Sequence, residues 1–325
     1  MIYQLPVEEN PIIRCYRIHA YLLNIIGIPY KNEFDRYLIS HYLALHNTYR
    51  GDYLDFHLEN NYLNIREMFR DNNWFRVIQM HHFDPEDDID LSNIRECIVE
   101  FIKKGYYIVQ NVDESCLKHT SKFGGVPVNN ISMITGYDDI NDAFYMLDYD
   151  AYGRFCVSSV PSNEYFHSVS QVTVSNRLNF VKAKENIDFS FDFEHSLKLL
   201  RCYLCSQNAY PDHVDYKNHV FGYEGVDMAF RDIHCLNMVD IRAILEHKNI
   251  MCKYFEYITN NGYLKKDTYV LMYKDIALQM KIIFLKIIKK ILLYKNNRDY
   301  TTECDAIRRL NEKEAKLLEG YLLAL

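Results

Sequence analysis

A chain of 325 residues, 49 % hydrophobic and 25 % charged, has enough apolar material for two ordinary domains and too much for a disordered polymer. Its formal net charge of −7 excludes a basic nucleic-acid-binding surface as its main purpose. Nine cysteines follow no framework, and the first residues lack the apolar core of a secretory signal, so the expectation is reduced thiols in a cytoplasmic protein.

Residues 12–26 carry apolar side chains at helical spacing and run into Gly27-Ile28-Pro29, a stop signal. Residues 64–71 read as a short helix and 74–80 as a strand. The acidic run 84–90 reads as a solvated loop. It ends at Ser92, an N-cap for a helix reaching Lys104 and closed by Gly105. A strand over 106–112 follows, rich in aromatic and β-branched residues. Strands over 131–135 and 143–147 flank a turn at Gly136-Tyr137-Asp138-Asp139 and make an antiparallel hairpin, and a further strand covers 172–181. Beyond about residue 190 the spacing is helical, over 191–206, 225–232, 240–259, 268–294 and 301–323. The change falls in the polar stretch 182–188, which divides the chain into domains at 1–185 and 186–325. The most membrane-like stretch, 276–293, is interrupted by Lys281, Lys286, Lys289 and Lys290, so it reads as a packed helix with a basic stripe and not as a membrane span.

Cys15 stands near the start of the first helix, after Asn10-Pro11. The dipole and free N–H groups of a helix N-terminus favour thiolate and can hold an oxyanion, which suits a nucleophile. A buried, inert cysteine at a helix start is the commoner case. The hairpin strengthens the nucleophile reading, because Leu147-Asp148 ends its second strand. Other clusters read as structural. His81 and His82, adjacent on a strand, point to opposite faces and do not share an ion. Cys202 and Cys205 lack a second ligand pair for zinc. Asp138-Asp139 suits a turn's own backbone bonding. The expectation is no metal and no cofactor.

The run Gly105-Tyr106-Tyr107-Ile108-Val109-Gln110-Asn111-Val112-Asp113 resembles the butirosin biosynthesis protein H family. So do the Gly136-Tyr137-Asp138 motif and, further on, Phe221-Gly222-Tyr223-Glu224-Gly225, Leu245-Glu246-His247-Lys248, Lys286–Lys290 and a last helix with Glu312 and Glu314. The resemblance implies an α+β protein: a papain-like N-terminal domain of antiparallel sheet plus helices, and a mostly α-helical C-terminal domain. It also implies acyl transfer from a carrier-protein thioester to a small-molecule amine, forming an amide in antibiotic or other specialised-metabolite biosynthesis. Carried over by position, the nucleophile is Cys15 and the orienting carboxylate Asp148, while the expected histidine falls on Asn130, six residues before Gly136. An amide accepts no proton near neutral pH. His19, one turn after Cys15, and His119, in the loop before the hairpin, are the substitute bases nearest in sequence. Papain-like enzymes use a glutamine shortly before the cysteine; here Glu9 and Asn10 stand there, and only Asn10 can donate to an oxyanion. The alternative reading is a catalytically degenerate relative that binds a pathway intermediate or partner protein; a cysteine peptidase is weaker. The expected partners are an acyl carrier protein or other thioester donor and the amine, with no nucleic acid and no membrane. A homodimer is left open.

Overall fold

Long runs of β-branched and aromatic residues between 107 and 161 build the centre of an antiparallel sheet. The computed structural model describes residues 1–31, 33–48, 53–58, 75–83, 91–172, 176–187, 189–212, 216–231, 236–265, 267–293 and 299–325. Among them the chain is a mixed α/β protein with two antiparallel sheets and nine α-helices, which is compatible with the α+β expectation. It divides into two compact units, Met1–Lys31 with Asn64–Ile187, and Asn32–Leu63 with Asp188–Leu325. The second unit thus takes in a segment well inside the first 185 residues.

The first unit carries a seven-stranded sheet: β1 (Ile2–Gln4), β4 (Phe75–Phe83), β5 (Tyr107–Asp113), β6 (Asn129–Asp138), β7 (Ala143–Tyr149), β8 (Phe155–Pro161) and β9 (Asn176–Ala183). Its order is β4-β9-β5-β6-β7-β8, with β1 continuing alongside β6 beyond the end of β5. Helices α3 (Leu91–Lys103) and α4 (Ser162–Ser170) cover one face. There Ile98 and Ile102 of α3 and Tyr165, Phe166 and Val169 of α4 share a buried cluster with Ile108, Ile134, Phe144, Met146 and Phe180. Helix α1 (Arg17–Gly27) packs on β6 and β9 without joining that cluster. With helices packed on both sides, β5 reads as an almost unbroken buried run rather than an alternation.

Several boundaries move. The first helix begins at Arg17, not at residue 12, so Cys15 precedes it. Gly136 is not in the turn: β6 continues to Asp138 and the reversal occupies residues 139–142. A Cβ at Gly136 would lie 2.4 Å from the Tyr3 carbonyl oxygen, so the residue is glycine because β1 approaches there, beside a register shift between Ile134 and Gly136. Asp138 caps the true turn, accepting from the Ile140 and Asn141 N–H groups. Helix α3 starts at Leu91, one residue before Ser92. Strands β1 and β8 and helix α4 escaped the sequence reading. The sequence-predicted helix at 64–71 and acidic loop at 84–90 lie outside the described residues, as do 173–175 of the last predicted strand.

The second unit holds a three-stranded sheet of β10 (Val220–Phe221), β2 (Leu45–Asn47) and β3 (Leu54–Phe56), in the order β10-β2-β3. Around it are α2 (Phe34–His41), α5 (Phe193–Leu204), α6 (Gly222–Met228), α7 (Met238–Asn260), α8 (Thr268–Leu293) and α9 (Thr301–Leu323). The long helices fall close to the spans read from apolar spacing. In their core Lys248 of α7 and Glu314 of α9 form an ion pair with neither side chain exposed. Tyr223 and Tyr273 donate to Glu314 at 3.0 and 2.9 Å, and Lys248 Nζ donates to the Tyr203 hydroxyl at 3.3 Å. Among the described residues no helix is long and apolar enough to cross a membrane.

Candidate functional site

Tyr16 is the N-cap residue of α1, with no side-chain cap, and Cys15 lies one residue further out, buried. The unbonded N–H groups of the first helical turn and the positive end of its dipole therefore begin just beyond the thiol. Both flanks of Cys15 are tied to the end of β7. The Tyr149 hydroxyl donates to the Arg14 carbonyl, and Arg17 Nη1 lies 3.0 Å from Asp148 Oδ1.

Arg17 is the centre of the site, and the sequence reading missed it. It pairs with Glu114 as well as Asp148, donates to the Ile131 carbonyl, and lies over the Tyr149 ring with its guanidinium carbon 5.5 Å from the ring centre. Burial works against its charge, but Asp148 foremost, and Glu114 after it, raise its pKa above the ordinary value. Asp148 is buried too. Burial pushes its carboxyl up to about 6, with Arg17 pulling it down and Glu114 pushing it up. The carboxylate that sequence assigned to orienting a histidine is thus held by a cation.

Asp148 belongs to a polar row across the α3/α4 face of the sheet. Gln110 of β5 pairs in register with Ser132 of β6, Met133 pairs with Leu147, so Ser132 neighbours Asp148, and Asp148 pairs with Cys156 of β8. Adjacent strands lie about 4.8 Å apart, so the four side chains form a continuous line. Tyr165 of α4 donates to Gln110 Oε1, while Gln110 Nε2 is buried without an acceptor. Ser132 Oγ and Asp148 Oδ2 lie close enough for the hydroxyl to favour the ionised carboxylate, yet form no hydrogen bond of ordinary geometry. Buried polar atoms left open in one place are uncommon in folded proteins and mark a site where a water or ligand group is accommodated.

His119 adds to this. It sits between the short 3-10 turn Glu114–Cys116 and β6, and both of its ring nitrogens are buried without hydrogen-bond partners. Burial holds its pKa below the ordinary value, against the pull of Glu164 and Glu114, so the ring is neutral near pH 7. The loop around it is tied by hydrogen bonds: Thr120 Oγ1 donates to the carbonyls of Glu114 and Leu117, and the Lys118 N–H donates to Glu164 of α4. Glu114 links the two halves of the site, pairing with Arg17 and acting on His119.

The other candidates are placed differently. Asn130 stands near the start of β6, and its Oδ1 accepts from the N–H of its own neighbour Ile131 at 3.0 Å. Asn10 is exposed in the turn ahead of α1, where its Oδ1 accepts from Arg14 Nη1 at 2.9 Å. Val157 N–H donates to Glu9. His19 is buried within α1, with its ring edge-to-face against Tyr16. No group of three or more metal-ligating side chains occurs among the described residues. A sequence signal for Arg17 did exist, namely a basic residue in the first turn of a helix, where the dipole disfavours it unless carboxylates compensate. Compared with known proteins, the sequence matches no family model and no curated protein.

Proposed function

We propose that the first unit is a papain-like acyl-transfer domain in which Cys15 takes an acyl group from a carrier-protein thioester and passes it to an amine. The observation that carries this reading is the neutral, unpartnered imidazole of His119 in the same charge cluster as Arg17, whose helix begins two residues after Cys15. Supporting it is the order of parts: a cysteine at the head of a helix, then a two-stranded hairpin whose second strand ends in a buried aspartate. In the first step the Cys15 sulfur bonds to the acyl carbon and the carrier thiolate leaves, taking up a proton. In the second, the amine nitrogen bonds to that carbon, its proton passes to His119, and Cys15 leaves as thiolate. A thioester is activated enough for this division of labour; a peptide amide demands more of the base. Asp148 with Arg17 holds the chain after Cys15, and Tyr149 with the Arg14 carbonyl holds the chain before it.

The test is incubation with an acyl thioester of N-acetylcysteamine followed by intact-mass measurement. The expected result is an adduct of one acyl group, absent in Cys15→Ala, that forms in His119→Gln but is released to an amine more slowly. Absence of any adduct on Cys15 would remove the catalytic reading. A second reading, a non-catalytic binding protein of the same fold, is favoured by the pairing of Asp148 with Arg17, which leaves that carboxylate no histidine to orient. That reading expects thioester binding by calorimetry without an adduct.

A further inference from the structure

Helix α8 turns two apolar faces outward and inward. Ile276, Met280, Ile283 and Ile287 are buried within the second unit. On the opposite side Leu271, Leu278, Ile282, Leu285 and Leu292 follow at steps of seven, four, three and seven residues, and are exposed, from 46 % at Ile282 to 71 % at Leu292. That is the spacing of a coiled-coil seam, and it runs for about 32 Å at 1.5 Å per residue. An exposed apolar stripe of this regularity, separate from the helix's packed face, marks an interaction surface.

The two remaining seam positions say what covers it. Asp275 falls between Leu271 and Leu278, and Lys289 between Leu285 and Leu292; both are exposed. Laid antiparallel on itself about a two-fold axis through Ile282, the seam brings Leu271 to the level of Leu292 and Leu293, Leu278 to the level of Leu285 and Lys286, and Ile282 to its own copy. The same operation sets Asp275 against Lys289 twice. It also brings Leu271 and Met272 of one helix to the apolar end at Ile291, Leu292 and Leu293 of the other. Parallel pairing would instead set Asp275 against Asp275 and Lys289 against Lys289. We infer that α8 of one molecule pairs antiparallel with α8 of a second copy of this chain, making an isologous dimer. Lys281 and Lys286 flank the stripe, so like charges meet at its rim, and moderate salt strengthens the dimer by screening them.

Sedimentation velocity on the full chain tests this. The wild type sediments as a dimer. Asp275→Lys and Lys289→Asp each weaken dimerisation by about tenfold or more, since each places like charges opposite one another at two places. An equimolar mixture of the two variants forms a heterodimer, because both opposed pairs are then complementary. Asp275 also pairs with Lys313 of α9, so circular dichroism of Asp275→Lys checks that the helices remain packed, and Lys289→Asp supplies a variant outside that contact. A wild type that stays monomeric at its highest soluble concentration overturns the proposal, whether or not the stripe then binds an acidic peptide or anionic vesicles. So does a dimer that the two variants leave intact, or a mixture that fails to pair.

Discussion

Glu314→Gln is the sharpest perturbation of the second unit. The substitution keeps the shape of the side chain. Tyr223 and Tyr273 bond different carboxylate oxygens, so the amide oxygen still accepts from one hydroxyl while the NH2 can only donate to the other, and the larger change is the loss of charge. Lys248 then keeps an ammonium with no exposed surface and no anion. Removing one partner of such a pair costs about 3–5 kcal/mol, a large share of the 5–15 kcal/mol that holds a domain together. Burial already pulls the Lys248 pKa down in the wild type, with Glu314 pulling it back up. Without Glu314 it falls further, so the folded variant sheds a proton that the unfolded chain retains up to about pH 10.4. The unfolded state then binds more protons, and stability rises with pH by up to about 1.4 kcal/mol per unit. Urea unfolding followed at 222 nm between pH 6.5 and 9 measures both quantities. Lys248→Met/Glu314→Gln recovers at least half the loss and is flat over that range, because no buried charge remains. A Glu314→Gln variant within about 1 kcal/mol of wild type, or one whose deficit is the same at both ends of the range, would refute the argument.

Two further outcomes follow from the geometry. Asp148 has a folded pKa of about 6, above its unfolded value, so its contribution to stability is complete below about pH 4 and is lost as pH rises through 6. The wild type therefore gains about 2 kcal/mol relative to Asp148→Asn on going from pH 7 to 4, read from paired denaturation curves; parallel curves would contradict the assignment. Gly222 has φ +56°, and a Cβ there would lie 2.1 Å from the Tyr203 carbonyl oxygen. Gly222→Ala should cost about 2 kcal/mol or more, lowering the melting temperature of the helical unit by several degrees, and a shift below one degree would show that the α5–α6 contact yields easily.

What could be read in advance depended on where each element finds its partners. The helices after residue 190 carry their apolar period within themselves, so spacing alone located them. Strands β2 and β3 are three residues each and entirely buried, and β2 pairs with β10, more than 170 residues later. No local pattern announces that. In β8, Cys156-Val157-Ser158-Ser159 breaks the alternation because the strand borders the polar row. At the candidate site, sequence pointed to the residues that resemble a triad and passed over those that complete the cluster. Gln110 is one polar residue in a strand run, and Arg17 a lone cation in the first helix. Their roles arise from register and from the meeting of α1 with the end of β7, neither of which spacing encodes.

The assignment of Asn32–Leu63 to the second unit has a consequence for biosynthesis. This stretch leaves the ribosome early, yet the rest of its unit begins only at Asp188. At roughly 5–20 residues per second, buried side chains such as Tyr37, Leu45 and Phe56 stay without their neighbours for several seconds to tens of seconds. A fragment ending at residue 187 contains the whole first unit but carries Asn32–Leu63 without the rest of its unit, and one starting at 188 lacks that stretch. The nascent chain must shelter those residues, and any attempt to express the helical half alone has to restore them as a separate peptide.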